Sequence, residues 1–256
     1  MKNVVLLGST GSVGKNVLNI VRAYPDKFRI SGIAAGEDIN LLGAQVEEFK
    51  PDVAVIGNKN LYSDFKTIVS GETKILSGIE GVGQLASGKE TDIVFMAISG
   101  IQALDPLIAA ITAGKTVALA SKEPIVSAGA LIKKLEKEHN ARILPVDSEH
   151  SAIMQCLCGR NIEDVNKLYI TGSGGSLFGV EEDKFDELSV ETVLNHPKWD
   201  MGRKITVDSA TLMNKGLELI EARWLFNVLP EKIKIIIHPE AIIHSMVEFI
   251  DGTISA

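Results

Sequence analysis

Three carboxylates in two separate stretches of the chain could bind a divalent cation. Asp147 and Glu149 lie in PVDSEHSAI, directly after an apolar run that predicts a strand. Residues at i and i+2 project to the same side while a chain stays extended. Glu218 follows in DSATLMNKGLELIEARW, on a predicted helix that also carries Asn214 and Lys215. Carboxylate oxygens are hard ligands that suit Mg²⁺ or Mn²⁺. The pattern predicts a metal site, and the alternative is that each acid is a solvated surface group.

The helix that carries Glu218 is predicted to use two different stripes. Asn214 and Glu218, at i and i+4, share a polar stripe that we expect to face a cleft. A neighbouring apolar stripe is expected to pack against the fold, and it consists of Met213, Leu217, Ile220 and Trp224.

Hydroxyl, amine and imidazole groups surround these acids in the sequence. The loop 172–175, with Ser173 among three glycines, is rich in donors and typical of phosphate binding, although an ordinary linker has the same composition. His196 and Trp199, in NHPKWDMG, could form a lid that excludes water, or could be plain loop residues. Together with a nucleotide-binding turn, described next, this set predicts metal-assisted redox chemistry on a phosphorylated substrate.

A glycine-rich turn at the N-terminus predicts dinucleotide binding. Gly8, Gly11 and Gly14 lie between a predicted strand and helix, where small residues let the backbone approach a pyrophosphate at the helix N-terminus. The alternative is a plain tight turn. Gly36, Glu37 and Asp38 follow the second strand, where an acid normally binds the ribose hydroxyls of NAD. A carboxylate about 4 Å from a phosphate charge costs roughly 4 kcal/mol at an effective dielectric near 20, so electrostatics alone favours NADH over NADPH.

Alternating apolar runs and amphipathic segments indicate the elements that must position these residues. Near-continuous strands separated by helices predict a Rossmann-like, doubly wound parallel sheet, an α/β dinucleotide-binding domain at 1–146. Glycine, serine and long loops then increase, which predicts an α+β catalytic domain at 147–256. The predicted strands are 4–7, 30–35, 53–56, 93–97, 117–120, 143–146, 204–207, 233–237 and 242–250. The predicted helices are 13–23, 39–49, 61–69, 101–113, 125–139 and 212–226.

Bulk properties exclude several classes of protein. The 256 residues carry a net charge of −7, which argues against nucleic-acid binding. No apolar run reaches the ~20 residues that a membrane-spanning helix needs. The chain begins Met-Lys-Asn and enters a strand at once, so we expect no signal peptide and a cytoplasmic location. Cys156 and Cys158 are expected to be reduced thiols on a helix, because CxC alone is a poor zinc signature.

With these motifs in place, the chain closely resembles the 1-deoxy-D-xylulose 5-phosphate reductoisomerase family. The segments that carry the resemblance are GSTGSVG, LASKEPIV, PVDSEHSAI, TGSGG, HPKWDMGRKITVDSATLMNKGLE, IEARWLFN and IHPEAIIHSMV. The resemblance implies conversion of 1-deoxy-D-xylulose 5-phosphate to 2-C-methyl-D-erythritol 4-phosphate in isoprenoid precursor synthesis, with NADPH and Mg²⁺ or Mn²⁺. It also implies a homodimer and a C-terminal helical domain that this sequence lacks.

The resemblance further implies a role for individual residues. Those that would bind the cofactor are Gly8, Thr10, Gly11, Ser12, Val13, Gly36, Glu37, Asp38, Ser121, Glu123 and Gly202. Those that would bind the substrate are Lys122, Ser148, Glu149, Ser173, His196, Ser209, Asn214, Lys215 and Glu218. The metal ligands would be Asp147, Glu149 and Glu218, and the catalytic group would comprise Lys122, Glu149, His196 and Trp199.

This sequence departs from the family pattern at four places. Glu37-Asp38 replaces a frequent lysine-asparagine pair, and Ser121, Pro124 and Ser176-Leu177 replace asparagine, serine and proline-phenylalanine. Together with the missing helical domain, these departures leave two other functions open. One is a catalytically idle fragment that binds the cofactor, and the other is an NAD-dependent dehydrogenase of another phosphosugar.

Overall fold

A computed structural model describes the backbone of residues 1–256 and every side chain except that of Glu182. The chain divides into two compact units, Met1–Val146 and Asp147–Ala256. Each unit has its own sheet and its own hydrophobic core.

The first unit contains a seven-stranded sheet in which every neighbouring pair is parallel. The strands are β1 (Lys2–Leu7), β2 (Phe28–Ala35), β3 (Val53–Ile56), β4 (Lys74–Ser77), β5 (Ile93–Met96), β6 (Thr116–Leu119) and β7 (Arg142–Pro145). Their order is β4-β3-β2-β1-β5-β6-β7, so the direction of winding reverses between β1 and β5. Ligands of doubly wound sheets bind at the carboxyl ends of the strands beside such a reversal.

Six helices connect these strands, as the alternating pattern predicts. They are α1 (Ser12–Ala23), α2 (Ile39–Phe49), α3 (Tyr62–Ile68), α4 (Gly78–Ala86), α5 (Leu104–Thr112) and α6 (Glu123–Glu138), with short 3₁₀ turns at Lys59–Leu61 and Ile101–Ala103. Leu6, Ile33 and Ile56 from three adjacent strands are fully buried, and they share a core with Leu18 and Leu42 of the helices. The doubly wound α/β prediction is confirmed.

The second unit is built on a mixed four-stranded sheet in the order β11-β10-β8-β9. Its strands are β8 (Val165–Gly172), β9 (Ile233–Ile237), β10 (Ser245–Phe249) and β11 (Ile254–Ser255). Only the pair formed by β8 and β9 is parallel among the pairings of this sheet in the described chain. The helices are α7 (Ser148–Cys156), α8 (Val190–Leu194), α9 (Arg203–Ala210) and α10 (Met213–Phe226), and 3₁₀ turns lie at Ile162–Asp164, Glu182–Glu187 and Pro230–Lys232.

The core of the second unit lies between its sheet and two helices. Ile153 of α7 and Ala222 of α10 pack with Leu168, Val247 and Phe249 from the strands. This packing fixes α7 and α10 relative to each other on one face of the sheet. The α+β prediction for this half is confirmed.

Several predicted elements were wrong or missing. Residues 204–207 form part of α9 and not a strand: Thr206 N–H donates to Gly202 O, and Lys204 pairs with Asp208 one turn later at 2.6 Å. The β-branched run Ile205-Thr206-Val207 resembles a strand locally, but these i, i+4 contacts favour the helix. The strand β4 and the glycine-rich helix α4 were not predicted. The predicted strand 242–250 begins only at Ser245.

The polar stripe of α10 faces a cavity, as predicted, but the apolar stripe was placed wrongly. The polar residues Asn214, Lys215 and Glu218 are buried, whereas the apolar residues Met213 and Ile220 are exposed. The helix therefore turns its polar stripe inward, where the carboxylate and the amine can neutralise each other. Hydrophobic periodicity alone cannot anticipate a buried ion pair.

The two cysteines are free thiols. Cys156 ends α7, and Cys158 lies beyond that helix in a turn, so the prediction that both lie on a helix holds for one of them. No helix among the described residues combines the length and the hydropathy needed to cross a membrane.

Candidate active site

The first two predicted metal ligands lie at the start of α7. Asp147 is the N-cap residue of this helix, and Glu149 lies in its first turn. The helix begins at Ser148, so these residues do not belong to the extended segment that the sequence suggested. Acidic groups are stabilised at a helix N-terminus by the exposed N–H dipoles. Ser148 Oγ donates to Glu149 Oε2 at 2.6 Å, which orients one of these carboxylates.

The helix α10 contributes the third carboxylate and its two neighbours. Glu218 is only 1% exposed. Asn214 Nδ2 donates to Glu218 Oε1, and Lys215 Nζ donates to Glu218 Oε2 at 2.5 Å. The same amine donates to Glu149 Oε1, also at 2.5 Å. Lys215 therefore joins a carboxylate of α7 to a carboxylate of α10.

The protonation of Lys215 is set by two opposing effects. Burial lowers the pKa of this amine, whereas the charges of Glu218 and Glu149 and their hydrogen bonds raise it. The net result is a pKa above the ordinary lysine value. The amine therefore stays a cation that partly neutralises the carboxylates.

Candidate ligand atoms of Asp147, Glu149 and Glu218 all lie within 4.8 Å of one another. Three carboxylate oxygens converging from two helices form an all-oxygen donor set, which is the set that Mg²⁺ and Mn²⁺ prefer. The residues present therefore fit a hard divalent cation.

A second group of candidate metal-binding side chains shares Asp147 with the first group. Candidate atoms of Asp147, His150 and Glu221 also lie within 4.8 Å of one another, and the last two side chains are fully buried. His150 Nε2 lies 2.9 Å from the backbone oxygen of Glu218, and its Nδ1 lies 3.6 Å from Glu221 Oε2. The sequence reading missed His150 and Glu221, although each follows a predicted ligand by one helical turn. This group ties the start of α7 to the middle of α10.

The carboxylate cluster opens into a cavity of about 300 Å³ within the second unit. Most of the site residues predicted for this half line it, namely Asp147, Ser148, Glu149, Ser173, His196, Trp199, Ser209, Asn214, Lys215 and Glu218. Gly202 does not line this cavity and lies at the N-cap of α9. The sequence reading missed Thr171, His244 and Ile243, which also line it. His244 contacts Trp199 with a ring separation of 6.2 Å, and its signal was the motif IHPEAIIHSMV.

The glycine loop and the histidine segment form one connected wall of this cavity. Gly174 and Gly175 have φ values of +94° and +76°, and a side chain at Gly175 would meet the backbone of Ser209 at 2.3 Å. Glycine is therefore required where the loop passes α9. Ser173 Oγ lies 3.1 Å from His196 Nε2.

The tautomer of His196 follows from its contacts. Its Nδ1 accepts from the backbone N–H groups of Lys198 and Trp199 at 3.2 and 3.0 Å. Burial lowers the pKa of His196, so the ring is neutral near pH 7. The single ring proton is then on Nε2, and it is donated to Ser173 Oγ.

The first unit has a separate cavity of about 540 Å³ at the carboxyl ends of its central strands. Gly8, with a φ of +91°, would place a side chain 2.4 Å from the backbone oxygen of Ala97, and one at Gly14 would lie 2.2 Å from the oxygen of Gly8. Ser9 Oγ donates to Gln45 Oε1 at 2.6 Å, and this buried bond attaches the turn to α2. Such a tight turn in front of a helix fits the diphosphate of a dinucleotide.

The remaining predicted cofactor residues divide into two groups. Gly8, Gly11, Gly36 and Glu37 line the cavity of the first unit. The others do not line it: Thr10, Ser12 and Val13 lie in the turn and at the start of α1, Asp38 is the N-cap of α2, and Ser121 and Glu123 lie at the start of α6. Lys122, which was predicted to bind the substrate, is the N-cap of α6 and lines neither of the two cavities. Lys122 and Ser121 are buried.

Comparison with known proteins identifies the family. The family model described as 1-deoxy-D-xylulose 5-phosphate reductoisomerase matches residues 4–129, and the model of the C-terminal domain of that enzyme matches residues 143–226. The 1-deoxy-D-xylulose 5-phosphate reductoisomerase of Geotalea uraniireducens is 49% identical over 257 residues, which cover 100% of this chain and 67% of that protein. The chain belongs to the 1-deoxy-D-xylulose 5-phosphate reductoisomerase family.

Solved structures of this reductoisomerase family have the same fold. A crystal structure of DOX-P reductoisomerase with NADPH, fosmidomycin and magnesium has a TM-score of 0.94 and 39% identity, and the match covers 99% of this chain and 65% of that one. The enzyme of Zymomonas mobilis in complex with NADPH has a TM-score of 0.92 and 38% identity, with 100% and 66% covered. The chain thus spans about two thirds of the length of these relatives.

Proposed function

We propose that this chain carries out the reductoisomerase reaction of its family, in which 1-deoxy-D-xylulose 5-phosphate becomes 2-C-methyl-D-erythritol 4-phosphate for isoprenoid synthesis. The reaction needs a divalent cation and a reduced nicotinamide dinucleotide, which is NADPH in the structures of two relatives. The observation that carries the proposal is the convergence of three carboxylates at α7 and α10, two of which accept hydrogen bonds from Lys215.

Asp147, Glu149 and Glu218 are the proposed ligands of the cation, which is Mg²⁺ as in one relative, or Mn²⁺. Such a cation supplies Lewis-acid polarisation of the substrate oxygens. Asn214 and Lys215 then have a positioning role, because each fixes one oxygen of Glu218. Ser148 does the same for Glu149.

The remaining groups of the cavity bind and enclose the substrate in this proposal. Ser173, Ser209, Asn214 and Lys215 would donate hydrogen bonds to the phosphate and the hydroxyl groups. Because phosphate binding is remote from the reacting carbons, it orients them. The segment of His196 and Trp199 would cover the substrate and exclude water, which strengthens every electrostatic contact inside.

The first unit is the proposed dinucleotide-binding domain, and a bound reduced dinucleotide supplies the hydride. The turn from Gly8 to Gly14, with Thr10, Ser12 and Val13, would hold its diphosphate, and Gly36 its adenosine end. Ser121, Glu123 and Gly202 are proposed to contact the cofactor, and Lys122 the substrate. A homodimer in the cytoplasm completes the proposal, and light scattering and cell fractionation would test these two points.

The decisive experiment is dinucleotide oxidation with deoxyxylulose phosphate and Mg²⁺, measured for the wild-type chain and for Glu218→Gln. We expect turnover only in the wild type, with unchanged dinucleotide affinity in the variant, because Glu218 belongs to the second unit and the dinucleotide cavity to the first. Glu231→Gln, an exposed acid outside the cavity, is the matched control and should keep full activity. Full turnover in Glu218→Gln would remove it from the ligand set.

A second candidate is a cofactor-binding fragment that does not turn over. The separate cavity and core of the first unit favour it, because that unit could bind a dinucleotide by itself. Dinucleotide binding without turnover in the wild-type chain would support this candidate over the enzyme.

A further inference from the structure

Gln45 is a buried polar side chain that the proposed function does not use. It lies in α2 and is only 4% exposed, next to the apolar residue Val46 on the side of the helix that packs in the core. A buried amide is costly unless its donors and its acceptor are hydrogen-bonded. The partner of this amide therefore indicates why a polar residue occupies a core position.

The partner is Ser9, the residue that follows the first glycine of the turn GSTGSVG. Gln45 Nε2 donates to the backbone oxygen of Ser9 at 3.1 Å, and the Ser9 hydroxyl donates to Gln45 Oε1 at 2.6 Å. Because a backbone oxygen can only accept, these two contacts also fix the orientation of the amide. One side chain thus binds both the backbone and the side chain of Ser9.

The other sides of Ser9 are also occupied by protein atoms. Its backbone N–H donates to Ala34 O at 2.9 Å, and a Cβ added at Gly14 would lie 2.7 Å from its Cα. Ser9 is fully buried and does not line the dinucleotide cavity, whereas Gly8 and Gly11 do. The hydroxyl of Ser9 therefore does not reach a ligand in this cavity, and its contacts hold the turn.

We propose that Gln45 is a positioning residue for dinucleotide binding, which fixes the backbone of the glycine turn through Ser9 without touching the ligand. The inference rests on the proposed function in that the first unit binds a nicotinamide dinucleotide. A turn that binds a diphosphate through backbone N–H groups needs those groups held to within about 0.5 Å. Contacts from β2, α1 and α2 meet at Ser9, and Gln45 provides the contact from α2.

The test compares NADPH affinity with the free energy of unfolding in variants of the complete 256-residue chain. Nicotinamide fluorescence gives the dissociation constant without any need for turnover, and urea unfolding gives the stability. Gln45→Met keeps the length of the side chain but removes both hydrogen bonds, so we expect the dissociation constant to rise at least about tenfold. Ser9→Ala keeps the bond from Gln45 to the backbone oxygen, so its dissociation constant should stay within about threefold of the wild type.

Combining Ser9→Ala with Gln45→Met separates positioning from stability. Gln45→Met alone leaves the Ser9 hydroxyl buried without its acceptor, and the double variant removes that hydroxyl, so the double variant should be the more stable of the two. Its NADPH affinity should stay as weak as that of Gln45→Met, because the backbone oxygen of Ser9 still lacks its donor. The control is Ser31→Ala, which removes another buried hydroxyl of the first unit, bonded to Val4 O and outside the cavity, and should bind NADPH like the wild type.

The outcomes distinguish the inference from the proposed function. Unchanged affinity in Gln45→Met, or affinity that recovers together with stability in the double variant, would overturn the inference and leave the proposed function intact. Should Gln45→Met fail to fold, the double variant gives the same comparison with the wild type. A wild-type chain that binds no NADPH would overturn the dinucleotide assignment, and the inference with it.

Discussion

Replacing Lys215 by methionine should destabilise the chain strongly without metal and much less with it. Lys215 is 7% exposed, and its amine lies 2.5 Å from an oxygen of Glu149 and 2.5 Å from an oxygen of Glu218. Methionine has a similar volume and no charge. The variant therefore keeps the packing of α10 but leaves two carboxylates close together without their cation.

The expected loss of unfolding free energy follows from how deeply the two carboxylates are buried. Removing one member of a buried ion pair costs about 3–5 kcal/mol, since the remaining charge stays in a poorly solvated place. Glu218 is 1% exposed, but the side chain of Glu149 is 14% exposed and can be partly hydrated. We therefore expect a loss near the lower limit, about 3 kcal/mol of unfolding free energy.

A divalent cation should reverse most of this loss. It would neutralise the same carboxylates, and in the variant it no longer shares their oxygens with an ammonium group. A ligand at about 100 times its dissociation constant adds about 2.7 kcal/mol to the stability of the folded state. The variant should therefore gain more from Mg²⁺ or Mn²⁺ than the wild type does.

Urea unfolding in EDTA and in excess Mg²⁺ measures both quantities. Lys234→Met, the same replacement at an exposed lysine of β9, is the control and should change stability little in either buffer. A loss of equal size with and without Mg²⁺ would show that Lys215 does not share its carboxylates with a cation site.

Two further predictions concern the dinucleotide turn and the histidine segment. Gly14→Ala should cost about 1–3 kcal/mol of unfolding free energy and abolish dinucleotide binding, because its new methyl group would lie 2.2 Å from the oxygen of Gly8. Urea unfolding and dinucleotide titration measure the two effects. The control is Gly83→Ala inside α4, where the nearest neighbour lies at 4.0 Å and both quantities should stay unchanged. Burial lowers the pKa of His196 in the folded chain, so on acidification the imidazole is protonated first in the unfolded chain, near the ordinary value of 6.5. The free energy of unfolding that comes from the neutral ring is therefore fully present above pH 6.5, and it is lost as the pH falls through the pKa of the folded state. Protonation of Nδ1 also removes the acceptor for the backbone N–H of Trp199. The fluorescence of Trp199, measured after the other tryptophan is replaced by phenylalanine, should therefore change on acidification. Fluorescence that does not depend on pH would contradict the assigned tautomer.

The fold of the first unit could be predicted almost fully because its strands are buried on both faces. Runs such as VVLL in β1 and VAVI in β3 have no polar alternation, and a helix separates each from the next. The strand β4 escaped detection because KILS is short and partly exposed, and α4 because its three glycines hide its helical period. The local sequence pattern is therefore ambiguous for both β4 and α4.

The carboxylate cluster could be predicted from residue types but not from local geometry. The sequence placed Asp147 and Glu149 on an extended segment, and the structure places them at a helix start, where they still converge. The burial of the polar stripe of α10 and the contact of His150 with Glu221 depend on how α7 packs on that helix. Tertiary packing decided these features, and no periodic signal within one helix encodes it.

The most direct test of the carboxylate cluster is anomalous diffraction from crystals soaked in Mn²⁺. We expect one strong peak within bonding distance of Asp147, Glu149 and Glu218. A peak held instead by His150 and Glu221, or no peak in the second unit at saturating Mn²⁺, would contradict it.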